Sequence, residues 1–178
     1  LTLDYKGLTL NVKKLGVVEA YKSRGNHIVV SKLEHPSIYK ICEYLETQGF
    51  QISYVNNDDE GLIDFEDLKK KVRPETILVS ICAVNSEMGI RQPLKTIRQI
   101  IKKENPNTIF HSDMTQAIGK VSVNMHDVDL ASMSAHKIFG PKGIGFLYKN
   151  NKVNMVPLIH GSGKFNELRA GTPPLPLI

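Results

Sequence analysis

The sequence lacks the features that mark membrane, secreted and metal-binding proteins. No apolar run approaches the roughly 20 residues that a membrane-spanning helix needs, and the start carries no secretion signal. Only two cysteines occur, Cys42 and Cys82, and they form neither a disulfide framework nor a metal-ligand spacing. These absences predict a protein of the reducing cytoplasm, with no metal site and no membrane partner.

A strong charge of either sign is also missing. The 178 residues carry a net charge of +5, and the lysines are spread along the chain instead of forming one stripe. Nucleic-acid-binding proteins usually show a basic patch or stripe. We therefore expect no nucleic-acid partner, and an anionic small molecule or cofactor fits the charge equally well. The length is sufficient for one domain with a substantial core.

Apolar strand patterns alternate with amphipathic helix patterns along the chain. The helix patterns cover 11–23, a segment from Pro36 to Gly49, one after the N-cap Asp64, and one that Pro93 opens. Six apolar runs are predicted to be strands, namely 27–33, 51–55, 76–84, 108–111, 130–133 and 144–148. Residues 1–10 follow neither periodicity.

This alternation predicts the fold class. Strands that alternate with helices of about a dozen residues indicate an α/β protein with a mostly parallel sheet. Strands that are almost entirely apolar indicate a sheet with helices on both faces. No repeat, low-complexity segment or linker divides the chain, so we expect one domain over 1–178.

Polar side chains follow four of the predicted strands where each strand ends. In parallel sheets, ligands bind beyond the carboxyl ends of the strands. The side chains there are those of Glu34, His35, Asn85, Glu87, Asp113, Gln116, Ser134, His136 and Lys137. Together they would offer a ring, an amide, carboxylates and an amine to one crevice.

Each of these residues also has an ordinary structural explanation. His35 can cap the helix that Pro36 opens. Asn85 can form a turn with Gly89, and Lys137 can be a solvated lysine in a basic turn. Their coincidence at one edge of the sheet favours a ligand site.

One cofactor, pyridoxal phosphate, uses all these chemical groups. Lys137 could form a Schiff base with its aldehyde. Asp113 ends an apolar strand, where its carboxylate needs a partner such as a protonated ring nitrogen. The flat imidazole of His35 could stack on the ring and exchange protons. Ser134 and His136 could donate to the phosphate.

Four segments resemble the cysteine desulfurases, which are class V aminotransferase-type enzymes of fold type I. They are 34–35, 84–89, 111–120 and 134–143. The resemblance runs from about Asn11 to Ile178, with the motifs in family order and at family spacing. It implies the large, cofactor-binding domain of a pyridoxal-phosphate transferase over 1–178, without the family's N-terminal segment and small C-terminal domain.

The resemblance also implies roles for individual residues around the cofactor ring. Lys137 would carry the Schiff base, and Asp113 would pair with the pyridinium nitrogen. Gln116 would contact the ring hydroxyl. His35 would stack on the ring and shuttle protons.

Further implied roles concern the phosphate and the substrate. Ser134 and His136 would hold the phosphate, and Asn85 would lie near the substrate carboxylate. Thr172, in the Arg-small-Gly-Thr segment 168–172, would reach the phosphate of a partner subunit. A homodimer follows from this last role.

Three departures from the family pattern bear on activity. Residues 1–10 do not match the glycine-rich phosphate-binding segment, and Gly161-Ser-Gly-Lys-Phe165 replaces Gly-Gly-Gly-Gln-Glu. The third departure is the absence of the family's small C-terminal domain. In the family, that domain carries the catalytic cysteine and an arginine that binds the substrate carboxylate. We therefore expect that this chain by itself does not complete desulfuration.

The implied reaction of the parent enzyme converts L-cysteine to L-alanine and leaves sulfur as an enzyme-bound persulfide. A sulfur-acceptor or scaffold protein of iron–sulfur cluster assembly would then take the sulfur. Two alternatives stay open. Selenocysteine lyase shares most of the motifs, and a truncated remnant without catalysis would also retain them.

Overall fold

The computed structural model describes residues 2–4, 8–158 and 160–161. The strands are β1 (Thr2–Asp4), β2 (His27–Ser31), β3 (Gln51–Val55), β4 (Thr76–Ser80), β5 (Ile109–Asp113), β6 (Leu130–Ser134) and β7 (Gly145–Lys149). The helices are α1 (Leu8–Tyr21), α2 (Pro36–Thr47), α3 (Phe65–Lys71) and α4 (Leu94–Glu104). Two 3-10 turns, Met125–Asp127 and Ala135–Ile138, flank β6.

All seven strands belong to one sheet, in the order β1-β7-β6-β5-β4-β2-β3. The five strands β3, β2, β4, β5 and β6 run parallel to one another. β7 pairs antiparallel with β6, and β1 pairs antiparallel with β7. The predicted mostly parallel α/β sheet is confirmed. β1 was not predicted, because its three residues are too few to show an alternation in the sequence.

Helices cover both faces of the sheet, as the apolar strands predicted. Ile28 and Val30 of β2 pack in one apolar cluster with residues of α1 and α2. Val29, between them, packs in a second cluster with residues of α3 and α4. Successive side chains of a strand point to opposite faces, so one strand serves both clusters.

The ends of the helices follow from single residues. Asp64 caps α3, because its Oδ1 accepts hydrogen bonds from the backbone N–H groups of Glu66 (2.9 Å) and Asp67 (3.0 Å). Gly49, just beyond α2, has a φ of +86°, a left-handed conformation that glycine adopts without steric cost. The predicted helix signals at Asp64 and Gly49 are confirmed.

The amino ends of the parallel strands carry buried polar groups that the protein itself satisfies. The carboxylate of Asp129, just before β6, binds Arg98 Nη1 and Lys102 Nζ, each at 2.8 Å. His27 at the start of β2 is fully buried, and its two ring nitrogens bind Thr76 Oγ1 (2.7 Å) and Ser53 Oγ (2.9 Å). This edge of the sheet therefore serves stability.

Candidate functional site

A cavity of about 320 Å³ opens at the carboxyl ends of β2, β4, β5 and β6. Ligand-binding cavities begin at about this size. Seven of the eight residues predicted for the site line it, namely His35, Asn85, Asp113, Gln116, Ser134, His136 and Lys137. The eighth, Thr172, lies outside the described residues. The fold thus brings together side chains that are up to about a hundred residues apart in the sequence.

Lys137 lies in the 3-10 turn that directly follows β6, and its side chain is exposed at the cavity. The turn ends at Phe139, whose φ of +64° is left-handed, and Gly140 N–H then donates to Ala135 O at 3.0 Å. A Cβ at Gly140 would lie 2.9 Å from Ala135 Cβ, so the chain closes this tightly only with glycine there. The glycine-rich segment of the sequence therefore holds the lysine at the end of the strand.

Asp113 ends β5 and is half-buried. Its Oδ1 accepts one hydrogen bond, from the backbone N–H of Thr115 at 3.0 Å. Within the described ranges, no lysine or arginine forms an ion pair with it. A carboxylate that is partly removed from water and lacks a cationic neighbour is suited to bind a cation that a ligand supplies.

His35 combines the two explanations that the sequence left open. It is the N-cap of α2, with Nδ1 accepting from the Ser37 N–H at 3.2 Å and lying 2.9 Å from Ser37 Oγ. Its ring also lines the cavity. Because Nδ1 is an acceptor, the neutral ring carries its hydrogen on Nε2. The cap therefore fixes the tautomer that the ring offers to a ligand.

Asn85 forms the turn that was proposed as its ordinary explanation. Its Oδ1 accepts from the N–H groups of Glu87 (2.9 Å) and Met88 (2.8 Å), and its Nδ2 donates to Leu33 O (2.9 Å). An amide nitrogen has two hydrogens. One hydrogen is therefore left for a ligand in the cavity that Asn85 lines.

The other predicted residues are less constrained by the protein. Gln116 Oε1 accepts from the exposed Lys120 Nζ at 2.5 Å, a contact that a ligand could displace at small cost. Ser134 and His136 make no side-chain hydrogen bond to any residue that the structure describes. Their donors remain available to an anion.

Glu34 ties two walls of the cavity together. Its carboxylate is buried, and its Oε1 accepts from the backbone N–H of Cys82. Leu33 O accepts from both Asn85 Nδ2 (2.9 Å) and Cys82 Sγ (3.4 Å). The turn before α2, which carries His35, is thereby fixed to the segment that follows β4.

Ser132 and Cys82 are among the cavity-lining residues to which the sequence assigned no role in the site. Ser132 lies two residues before Ser134 in β6, so the strand alternation could have placed it on the same face. Both lie within predicted apolar strands, where the sequence pattern indicates a core position. Burial raises the pKa of the Cys82 thiol, and the nearby charges of Glu34 and Asp113 raise it further. A thiol with a raised pKa is mostly protonated at neutral pH and is therefore a poor nucleophile.

The described part of the chain holds no group of three or more histidine, cysteine, aspartate or glutamate side chains that could bind a metal. Among its helices, none has the length and apolarity needed to cross a membrane.

Comparison with known proteins identifies related sequences over nearly the whole chain. A family model described as aminotransferase class-V matches residues 9–176. Cysteine desulfurase IscS of Buchnera aphidicola (subsp. Acyrthosiphon pisum, strain 5A) is 44% identical over 169 residues, which are 93% of this chain and 41% of that protein. Cysteine desulfurase IscS of Clostridium botulinum (strain Hall) is 44% identical over 88% of this chain and 40% of its own length.

Solved structures agree with this relationship. A NifS-like protein superimposes with a TM-score of 0.92 at 38% identity, over 98% of this chain and 49% of that one. A structure described as SspA in complex with cysteine superimposes with a TM-score of 0.89 at 33% identity, over 98% and 51%. The chain therefore spans about two fifths of the length of its curated relatives and about half of these solved chains.

Proposed function

This chain belongs to the class-V aminotransferase family, and from that premise we propose that its cavity is the pyridoxal-phosphate site of a cysteine desulfurase. The observation that carries the proposal is the meeting of Lys137, Asp113 and His35 in one cavity. The relatives with the two highest identities quoted above are both named cysteine desulfurases. Neither family membership nor the cavity alone would specify this reaction.

The residues present fit the cofactor. Asp113 has no cationic partner within the described residues, and a protonated pyridine nitrogen would supply one. Ser134 and His136 have free donors for a phosphate. Lys137 is exposed at the cavity, where its amine can hold the aldehyde carbon.

When bound, pyridoxal phosphate supplies an electron sink for the Cα of an amino acid substrate. Asp113 would keep the proton on the ring nitrogen, because its negative charge favours the protonated form. Lys137 Nζ would hold the cofactor aldehyde and would also be placed to move a proton at the substrate Cα. His35 Nε2 would face the ring as the second proton-exchanging group. The remaining Nδ2 hydrogen of Asn85 would orient the substrate carboxylate.

The sulfur step requires a thiolate that neither cysteine of this sequence provides. Desulfuration transfers the substrate sulfur to a cysteine thiolate as a persulfide and leaves L-alanine. Cys42 is buried on α2. Cys82 is also buried, and burial raises the pKa of its thiol. We therefore propose that the 178-residue chain binds cofactor and L-cysteine without forming a persulfide on Cys42 or Cys82.

The partners are part of the same proposal. A homodimer would bring Thr172 of one subunit to the phosphate of the other, and a sulfur-acceptor or scaffold protein would receive the persulfide sulfur. Cys42 and Cys82 are both thiols, which is consistent with a cytoplasmic protein. Sedimentation analysis of wild type and Thr172→Ala, with and without cofactor, tests whether the chain is a homodimer. If Thr172 reaches the phosphate in the other subunit, Thr172→Ala should also weaken cofactor binding.

Cofactor binding is tested by titration with pyridoxal phosphate, followed by the absorption band of lysine-bound cofactor. We expect the band with wild type and its loss with Lys137→Ala. Lys142→Ala is the matched control, because Lys142 is an exposed lysine between the 3-10 turn of Lys137 and β7. Equal bands in Lys137→Ala and wild type would contradict the assignment of Lys137, and no band in wild type would contradict the cofactor.

Substrate binding is tested by adding L-cysteine to the loaded protein. The band should shift with L-cysteine and not with D-cysteine, and a stronger response to L-selenocysteine would favour selenocysteine lyase instead. Alkylation and mass spectrometry should detect no persulfide on either cysteine. A persulfide on Cys82 would contradict the proposal that this thiol does not accept the substrate sulfur.

A further inference from the structure

A row of buried polar side chains crosses three strands directly beneath the cavity. Ser80 of β4, His111 of β5 and Ser132 of β6 are at most 4% exposed. His111 Nδ1 lies 2.9 Å from Ser80 Oγ, and His111 Nε2 lies 3.1 Å from Ser132 Oγ. The three groups therefore form a continuous hydrogen-bonded row.

The row lies on the cavity side of the sheet. Asp113 and Ser134, which line the cavity, come two residues after His111 and Ser132 in the same strands, so their side chains point to the same face. Two residues earlier in each strand, the same face carries Leu78, Ile109 and Leu130, which belong to the apolar core. The row is thus a polar layer between the core and the cavity.

The two ends of the row differ in what they can reach. Ser132 lines the cavity. Ser80 does not, and within the described part of the chain its hydroxyl has His111 as its only side-chain partner. A ligand can satisfy the hydroxyl at one end, whereas the hydroxyl at the other end depends on His111.

This difference selects one arrangement of hydrogens. A neutral imidazole donates from one nitrogen and accepts at the other. If Nδ1 carried the hydrogen, the Ser80 hydroxyl hydrogen would be buried without an acceptor, which is unfavourable. If Nε2 carries it, Ser80 donates to Nδ1, Nε2 donates to Ser132, and the Ser132 hydroxyl hydrogen points to the cavity.

We propose that Ser80, His111 and Ser132 form a directed hydrogen-bond relay that makes Ser132 a donor to the cavity occupant. The group that Ser132 binds is an acceptor atom with a lone pair, and an acceptor with partial negative charge is favoured. His111 is a positioning residue that fixes this polarity. Only the identity of the occupant as pyridoxal phosphate rests on the proposed function.

The tautomer of His111 tests the relay without any cofactor. Protein labelled with ¹⁵N in its six histidines is observed by NMR, and His111 is assigned from the signals missing in His111→Gln. We expect hydrogen on Nε2 and a lone pair on Nδ1. Hydrogen on Nδ1 in wild type would overturn the relay. In Ser80→Ala, which removes the donor to Nδ1, the Nδ1 shift should move and the fold should persist.

The donation to the ligand is tested by pyridoxal-phosphate affinity. Ser132→Ala should weaken binding by about tenfold, the effect of one hydrogen bond. Ser112→Ala is the matched control, because Ser112 is buried in β5 and pairs with Ala131 beside Ser132, while its neighbours His111 and Asp113 take the cavity face. Equal affinities of the two variants would overturn the donation. Failure of wild type to bind would refute the cofactor assignment, and the tautomer would still decide the relay.

Discussion

Two aspartates at opposite ends of the β5–β6 pair have different environments. Asp129, just before β6, binds Arg98 and Lys102 and also accepts from the Phe110 N–H at 2.9 Å. Asp113, at the end of β5, accepts a single backbone hydrogen bond. The first carboxylate is saturated by the protein, and the second retains most of its capacity to bind.

The pKa of Asp129 reflects this saturation. Burial alone would raise the pKa of the Asp129 carboxyl, but the hydrogen bonds from Lys102, Phe110 and Arg98 outweigh burial and lower it. Such a carboxylate stabilises the fold. Asp113 lacks such contacts apart from the Thr115 N–H, so under the proposed function its remaining acceptor capacity serves a ligand. The two aspartates therefore differ in their contacts, since the protein satisfies Asp129 and leaves Asp113 open to a ligand.

The largest expected effect is on cofactor affinity. Asp113→Asn should weaken pyridoxal-phosphate binding more than about 100-fold, since breaking a desolvated charge pair costs about 3 kcal/mol. The substituted amide could still accept from the Thr115 N–H, so the local turn should survive. Asp129→Asn, the control, should keep wild-type affinity at a temperature where it is folded. Absorbance titrations measure both variants, and similar losses in both would remove the distinction.

The free energy of unfolding should rank these two variants in the opposite order. Asp129→Asn should lower the free energy of unfolding by about 3 kcal/mol, because two cations and a buried N–H lose a charged acceptor. The cations are about a quarter exposed, which keeps the loss at the low end of the range for buried pairs. Asp113→Asn should change the free energy by less than about 0.5 kcal/mol. Urea denaturation of the cofactor-free proteins measures both.

A buried histidine at the amino edge of the sheet extends the comparison. His27 is satisfied by Thr76 and Ser53 at the amino edge, and burial, helped by the charge of Arg73, lowers the pKa of its ring to about 4. Between that value and the ordinary 6.5, the unfolded chain binds a proton that the folded protein does not. His27 therefore makes stability fall as the pH falls, by roughly 2 kcal/mol from pH 7 to pH 5.

Replacement of His27 tests this pH dependence. His27→Gln removes the titrating group, so its free energy of unfolding should fall by roughly 2 kcal/mol less than that of wild type between pH 7 and pH 5. Denaturant unfolding at both pH values gives the change in free energy of unfolding for each protein. Equal changes in the two proteins would mean that His27 takes up its proton over the same pH range in the folded and unfolded chain.

The smallest expected effect is a change in stability at a serine on the face of β5 opposite to the cavity. Ser112 Oγ is buried and has no hydrogen-bond partner among the described residues. Ser112→Ala should therefore leave stability unchanged or raise it by about 0.5–1 kcal/mol. Ser132→Ala in β6 should lower it, because the hydrogen bond between His111 Nε2 and Ser132 Oγ is lost. A larger loss in Ser112→Ala than in Ser132→Ala would contradict the assignment of the two faces.

The sequence predicted the parts of the molecule that depend on local periodicity. The parallel strands, the cap at Asp64 and the cluster of Lys137, Asp113 and His35 at one edge all follow from residue spacing and from where apolar runs end. A parallel sheet aligns the carboxyl ends of its strands, so polar residues at those ends meet without knowledge of any long-range contact.

The remainder depends on partners distant in sequence. β1 pairs with β7 across more than 140 residues, and the neighbours of Asp129 come from α4, 27–31 residues earlier. Ser132 was hidden within an apolar run, although its alternation with Ser134 placed it on the cavity face. The double role of His35 as cap and cavity residue could not be predicted from the sequence. It depends on where the Ser37 N–H lies relative to the ring.

The central claim is that Lys137 holds pyridoxal phosphate in the cavity beside Asp113. Borohydride reduction makes the bond between a lysine amine and the cofactor aldehyde permanent, and peptide mass spectrometry then locates it. We predict one label on Lys137 in wild type and its absence in Asp113→Asn at limiting cofactor. Absence of any label in wild type, or labels spread over exposed lysines such as Lys142 and Lys120, would contradict the claim.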